Sequence, residues 1–210
     1  QCRLHFVVSE KSISFGSNPD LPMWILYPNI IKIVFLIASR CYNRSDMEAL
    51  IACDIGGTQI KYGIVSEIGR VLKRKTVATE IHLGGEQTIQ KLIYVSKKIM
   101  NEHTIAGIGI STAGIVDINK GIVTGGADHI PGYSTIPIID RLQEILKVPV
   151  SIDNDVNCAA FGEKWNGSGR EKDNFIMLTL GTGIGGAIFI DGKLYRGHSF
   201  SAGEWGNMLI

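Results

Sequence analysis

The 210-residue chain has almost no net charge: 21 Lys and Arg against 20 Asp and Glu leave a formal +1 at pH 7. So even a balance gives no sign of the basic footprint of a nucleic-acid binder or of a polybasic surface for acidic lipid. Cysteine is scarce as well. The four thiols, Cys2, Cys41, Cys53 and Cys158, include no CxxC pair, and Cys53 sits inside an apolar run. That usage favours reduced thiols in a cytoplasmic protein over a disulfide framework, with Cys53 and Cys158 as small core residues. The phosphate-binding pattern GxxxxGK[ST] is missing, and GTGIGG (181–186) reads as a strand hairpin with no helix after it. A P-loop and a Rossmann turn are therefore both excluded.

A clean membrane span is also lacking. Leu21 to Ser39 is apolar and about long enough, but it carries Pro22, Pro28, Asn29 and Lys32. Two prolines and a mid-span lysine are costly in a lipid-facing helix. The run starts late and has no small-residue cleavage site, so it is a poor signal peptide. Residues 1–46 differ in character from all that follows, and Met47 opens directly into a strand as MEALIACDIGGT. The expectation is a non-native or disordered extension over 1–46, with no membrane association.

Glycine is abundant. The 25 glycines fall mostly in clusters after residue 55, which implies tight turns or close backbone approach to a ligand. From Met47 the apolar spacing predicts strands at Leu50–Ile55, Ile60–Val65 and Val71–Val77, then a helix over Glu86–Met100. A strand at Ile105–Ile110 is followed by a turn at Ser111–Gly114, and a helix over Pro137–Leu146 by a strand at Val148–Ile152. A helix over Val156–Trp165 closes this unit. Phe175–Leu180, the break Gly181–Thr182–Gly183, Gly185–Ile190 and a turn at Asp191–Gly192 then repeat the opening pattern. The order βββαβαβα followed by ββ is an α/β arrangement with an internal duplication whose second copy has barely begun.

Two glycine-broken hairpins carry the chemistry, DIGGT (54–58) and LGTGIGG (180–186). A phosphate held between strands needs backbone N–H groups close by, and long side chains at the turn would block it. This makes Gly56, Gly57, Thr58, Gly181, Thr182 and Gly183 candidates for binding phosphate. Asp54, just before the first turn, can hold a phosphate-bound Mg²⁺ through water. A single such hairpin reads as a tight turn; two, each opening one copy of a duplicated unit, read as a nucleotide site. In SIDNDVNCAAFGE (151–163), Asp155 lies at a helix N-terminus, where the backbone dipole favours its ionised form. An ionised Asp there can accept or orient the proton of an incoming hydroxyl. Asn154 and Asn157 can bind a polar ligand or cap the helix, and taken locally the cap is the commoner role.

DIGGTQIKYGIV and LGTGIGGAIFIDGKL resemble the two phosphate motifs of the actin, hexokinase and Hsp70 superfamily, and more narrowly those of the ROK family. The resemblance implies an actin-like (ribonuclease H-like) ATPase fold. The first lobe would be complete over 47–165 and the second, starting at 166 and running to 210, would be truncated. It implies ATP with Mg²⁺ and a small-molecule sugar, the catalytic base at Asp155 and a sugar contact at Asn154. GIGISTAGIVD (107–117) resembles the loop that faces the sugar, implying contacts from Ser111, Thr112 and Gly114. ADHIPGYSTIPI (127–138) resembles the family's sugar-binding turn, with Asp128 and His129 near a position often held by Asn. AGEWGNML (202–209) resembles the stretch whose Glu binds sugar hydroxyls, implying that role for Glu204. Where the family commonly has a zinc-binding His, this chain has Asn207, a poor zinc ligand, so no zinc is expected.

The expected activity is ATP-dependent phosphorylation of a hexose or hexoside hydroxyl, the 6-OH, as in a glucokinase. This chain would be a fragment, weakly active at best by itself, of an enzyme that is a homodimer at full length. The alternative is a sugar-sensing ROK transcriptional regulator. Such regulators prepend a winged helix-turn-helix, and residues 1–46 are too few, too apolar and too poor in basic side chains for one.

Overall fold

The computed structural model describes residues 5–10, 49–66, 69–180 and 183–207. Strands β1 (His5–Glu10), β2 (Leu50–Ile55), β3 (Gln59–Val65) and β4 (Val71–Ala78) are followed by helix α1 (Gly84–Met100). Then come β5 (Gly107–Thr112), β6 (Ile115–Asp117), β7 (Ile122–Gly125), α2 (Ile138–Leu146), β8 (Val150–Asn154) and α3 (Asp155–Asn166). The chain continues through β9 (Phe175–Leu180), β10 (Ile184–Ile190) and β11 (Lys193–Tyr195). Most of 1–46, including Leu21–Ser39, lies outside the described residues; within it, β1 pairs in parallel with β9, His5 opposite Phe175 and Glu10 opposite Leu180.

The larger sheet has the order β4-β3-β2-β5-β8. Its first three strands form an antiparallel meander, while β2, β5 and β8 run parallel. Along β2 the side chains alternate between two cores, as a period of two requires. Ile51, Cys53 and Ile55 face a large cluster completed by Ile89 and Leu92 of α1 and by Ile138 and Leu142 of α2. Leu50 and Ala52 face the other way, onto Cys158 of α3. The apolar stripes of α1 and α2 thus cover one face of this sheet. Helix α2 ends at Lys147, left-handed at φ 57, with Pro149 two residues on.

Helix α3 is buried on two sides. Cys158 packs on the larger sheet, while Val156, Ala159 and Ala160 pack with Phe175, Met177, Ala187 and Phe189 of the second sheet, order β1-β9-β10-β11. Small residues on α3 let the two sheets approach it from opposite sides. The meander β9-β10-β11 repeats β2-β3-β4, so the duplication read from the sequence is present in the strands.

The structure shifts two boundaries. Ser111 and Thr112, expected in a turn, extend β5, because Ile55 and Asn154 flank Thr112 in an unbroken three-strand ladder. Strand β8 likewise runs on to Asn154, keeping Asp153 and Asn154 in the sheet because polar Ser111 and Thr112 lie opposite them. The short ribbon β6–β7 and strand β11 carry too few apolar residues for periodicity to reveal them. Among the described residues no helix is long and apolar enough to cross a membrane.

Phe175 is fully buried and stacks on Phe189 with ring centroids 4.7 Å apart. Phe175→Ala is expected to destabilise the protein by about 3–5 kcal/mol in urea unfolding, the usual cost of deleting a buried aromatic ring. A loss below about 1 kcal/mol would show that the second sheet adds little to the core around α3.

Candidate active site

Three parallel strands end at one place. Their register sets Asp54, Ser111 and Asp153 side by side, and Ile55, Thr112 and Asn154 in the next row. In-register neighbours project to the same face, so Asp54, Ser111 and Asp153 emerge on the side occupied by α3. The carboxyl ends of parallel strands are the usual ligand position in α/β sheets.

Asp54 is buried, and both its oxygens are engaged across the sheet. The Ser111 hydroxyl donates to Oδ1 at 2.9 Å, and Lys61, opposite it in β3, places Nζ 3.4 Å from Oδ2. These contacts fix the direction of the carboxylate. Thr112 is also buried; its hydroxyl lies 3.1 Å from the Tyr133 hydroxyl, whose pKa burial pushes up. The hydroxyls of Ser111 and Thr112, expected to face a sugar, thus have partners in Asp54 and Tyr133 inside the protein. Burial, helped by the charge of Asp54, pushes the Cys53 thiol up to about 12, and burial likewise raises Cys158, as core thiols require.

The first hairpin is built more firmly than its sequence suggests. The Gly56 N–H donates to the Gln59 carbonyl at 3.1 Å, and a Cβ on Gly56 would lie 2.9 Å from that oxygen. Thr79, wholly buried just past β4, clamps the turn twice: its hydroxyl donates to the Gly56 carbonyl at 2.6 Å and its N–H to the Thr58 carbonyl at 3.0 Å. Lys91 of α1 in turn donates to the Ala78 and Thr79 carbonyls, each at 2.9 Å, and pairs with Glu80. Gly57 differs. A Cβ there would meet nothing within 4 Å, and its φ is not positive, so neither packing nor backbone conformation requires glycine. Gly183 in the second hairpin is open in the same way. Gly181 and Thr182 lie outside the described residues. At least one glycine in each hairpin is thus required neither by packing nor by backbone conformation.

At the head of α3, Asn154 does what the local reading of DND anticipates. Its Oδ1 accepts from the Val156 N–H at 2.8 Å and the Asn157 N–H at 3.3 Å, and its Nδ2 donates to the Gly114 carbonyl at 3.0 Å. One amide hydrogen remains for a ligand. Gly114 has φ +96, and a Cβ on it would come within 2.6 Å of the Gly125 carbonyl, so only glycine turns the chain here. Asp155, partly exposed, is the first residue of α3. The second sheet presses directly on this turn: a Cβ on Gly185 would fall 2.5 Å from Val156 Cγ2. A Cβ on the next residue, Gly186, would fall 2.4 Å from the ring of Trp205.

That contact carries Glu204 into the site. The half-buried Glu204 carboxyl has its pKa raised, first by desolvation and then by the charge of Asp155. The two carboxyls, 49 residues apart in sequence, therefore share one field. Asp128 and His129 are exposed on the loop before Ile130. Sequence reasoning missed Thr79, Tyr133, Asp153 and Arg196. None lies in a motif with a local mechanism, and Asp153 is recognisable only as the residue preceding Asn154.

Residues 50–210 match the ROK family. The chain is 40% identical over 162 residues to a beta-glucoside kinase of Listeria innocua, covering 76% of this chain and 53% of that protein. It is 34% identical over 161 residues to a glucokinase of Thermotoga maritima, covering 77% and 50%. A ROK family glucokinase from Streptomyces griseus, solved with glucose and AMPPNP, superposes with a TM-score of 0.68 at 34% identity, covering 77% of this chain and 51% of that one. The Lmo2764 protein of Listeria monocytogenes, a putative N-acetylmannosamine kinase, also gives 0.68, at 37% identity, covering 76% and 53%. The chain spans about half the length of the curated relatives it matches.

Gly57→Ala is expected to leave stability unchanged or raise it by up to about 1 kcal/mol, since the new methyl meets open space. The same change should raise the KM for nucleotide at least tenfold; an unchanged KM would return Gly57 to an ordinary turn residue. For Glu204 the sign follows from its raised pKa. The folded state holds the proton where the unfolded chain has released it, so stability falls as pH rises through 4.5 to the folded value and is level above it. Glu204→Gln should therefore melt higher than the parent near neutral pH, with the gap closing in acid. A gap independent of pH would remove the carboxylate charge as its cause.

Proposed function

This chain belongs to the ROK family, and we propose that it carries the sugar side and the first phosphate hairpin of an ATP-dependent sugar kinase. The reaction is phosphorylation of a hexose or hexoside hydroxyl, the 6-OH, with glucose or a β-glucoside as the preferred substrate. The observation that carries this reading is the placement of Asp54, Asn154 and Asp155 at the ends of β2, β5 and β8, with Glu204 in the field of Asp155 and open space beside Gly57 and Gly183 of the two hairpins. A nucleotide site alone would not need Glu204 beside Asp155.

In this reading Asp155 accepts or orients the proton of the attacking hydroxyl, a task for which the helix N-terminus favours the carboxylate form. Asn154, through its remaining amide hydrogen, and Glu204, through its carboxylate, hold sugar hydroxyls on either side of it. Gly114 brings the backbone close, while Ser111 and Thr112 stiffen the ladder beneath. The hairpin residues Gly57 and Thr58, with Gly181, Thr182 and Gly183 of the second, hold phosphates through backbone N–H groups, while Gly56, whose own N–H is given to Gln59, shapes the turn that presents them. Asp54, a carboxylate oxygen donor beside the first phosphate hairpin, suits Mg²⁺ held through a water. Bound Mg²⁺ supplies charge neutralisation on the transferring phosphoryl group. Closure of the two lobes over the sugar excludes water. We further take the full-length enzyme to be a cytoplasmic homodimer.

The test is a coupled ADP-release assay on the full-length protein across hexoses and cellobiose. Sugar-dependent release is expected, with Asp155→Ala lowering turnover about 10²–10⁴-fold, the usual contribution of a general base, and leaving sugar affinity within about tenfold. No release with any sugar from a folded protein would shift the reading to a sugar-sensing regulator. Near-normal turnover of the Asp155→Ala variant would take the base role away from Asp155.

A further inference from the structure

The residue just before the capping Asn154 is a buried carboxylate with three hydrogen-bond partners. Asp153 is 1% exposed, and its Oδ1 accepts from the Asn154 N–H at 2.8 Å and from Asn157 Nδ2 at 2.9 Å. Its Oδ2 accepts from Arg196 Nη2 at 2.5 Å. Arg196 comes from the other sheet, one residue after β11, and reaches across α3 to do this. Its guanidinium lies 5.5 Å from the centre of the Phe161 ring of α3, and Phe161 meets Phe189 of β10 edge to face. The Arg196 carbonyl also accepts from the Ala202 N–H at 3.1 Å, closing the loop that carries Glu204.

Arg196 therefore touches three parts of the site: the end of β8, the body of α3 and the Glu204 loop. A long buried cation is costly to keep, and here Nε is enclosed with no acceptor among the described residues. Stability alone gives little reason to retain such a group, since apolar replacements of buried ion pairs are often neutral or better. What the pair secures is position. The planar guanidinium fixes the Asp153 carboxylate, and that carboxylate fixes the Asn154 N–H and the Asn157 side chain, so the turn bearing Asp155 is held on both flanks.

We propose that Arg196 is a positioning residue for phosphoryl transfer: from the second sheet it clamps Asp153 and thereby sets the Asn154–Asp155 turn against Glu204. This rests on the kinase reading above for its kinetic consequence, though not for its structural one. The Glu204 loop is held by the backbone carbonyl of Arg196, which any substitution keeps. The effect of losing the side chain thus falls on the Asp155 turn, and so on kcat more than on sugar KM.

The experiment uses the full-length enzyme with Arg196→Met, Arg196→Lys, Asp153→Asn and the double variant Asp153→Asn/Arg196→Met. Arg196→Met is expected to lower kcat at least tenfold with sugar KM within threefold. Arg196→Lys, which keeps the charge, should recover at least threefold of that loss. The double variant should be no slower than Arg196→Met, because both changes break one clamp. Turnover of Arg196→Met within twofold of the parent overturns the proposal. So does a parallel loss of kcat, KM and melting temperature that Lys does not rescue. If Arg196→Met does not fold, the double variant, which leaves no unpaired buried charge, is judged by the same limits. Amide exchange separates this from the kinase reading. If the parent shows no sugar-dependent ADP release, the kinase reading fails, yet the clamp still predicts that the Val156 and Asn157 amides exchange at least tenfold faster in the variants, with β2 unchanged. Unaltered exchange there overturns the clamp whatever the activity.

Discussion

The pairing of β2, β5 and β8 in one parallel register is the constraint on which the rest of this structure depends. Because side chains on neighbouring parallel strands share a face, one register choice sets Asp54, Ser111 and Asp153 in a row and Asn154 in the next. A slip of one residue in β8 would turn Asp153 into the apolar core beneath α1 and α2 and turn Ile152 out toward the polar site. The buried clusters on both faces make that slip prohibitive, so the core that stabilises the sheet also aligns the chemistry.

Charge is managed at the site by geometry more than by composition. Asp54, Asp153, Asp155 and Glu204 gather in a chain whose net charge is only +1. Asp54 and Asp153 are each met by a cation on a neighbouring strand or loop, Lys61 and Arg196. Glu204 gains the opposite influence, the field of Asp155 together with partial burial, and its proton is held more tightly as a result.

Much of this was legible in the sequence, for identifiable reasons. The strands Leu50–Ile55 and Phe175–Leu180 show because both are apolar runs stopped by glycine, and the helices α1 and α2 because one face is apolar at helical spacing. The DND turn announced a helix start, and the structure confirms the cap at Asn154. The end of β5 was misplaced because Ser and Thr usually mark turns, whereas here their hydroxyls have buried partners in Asp54 and Tyr133. Thr79 and Arg196 left no trace, since one acts on a carbonyl 23 residues away and the other on a carboxylate 43 residues away. Long-range polar partners carry no periodicity, so no window along the chain reveals them.

The double burial of α3 has a consequence for how the chain acquires its structure. Everything that closes the first sheet lies before residue 155 in sequence, so that sheet and its two covering helices can condense from segments already near one another. Helix α3 cannot finish at that stage. Val156, Ala159 and Ala160 find their partners only in Phe175, Met177, Ala187 and Phe189, which leave the ribosome later. During synthesis the start of α3, and with it the turn bearing Asp155, thus completes its packing only when the second sheet arrives.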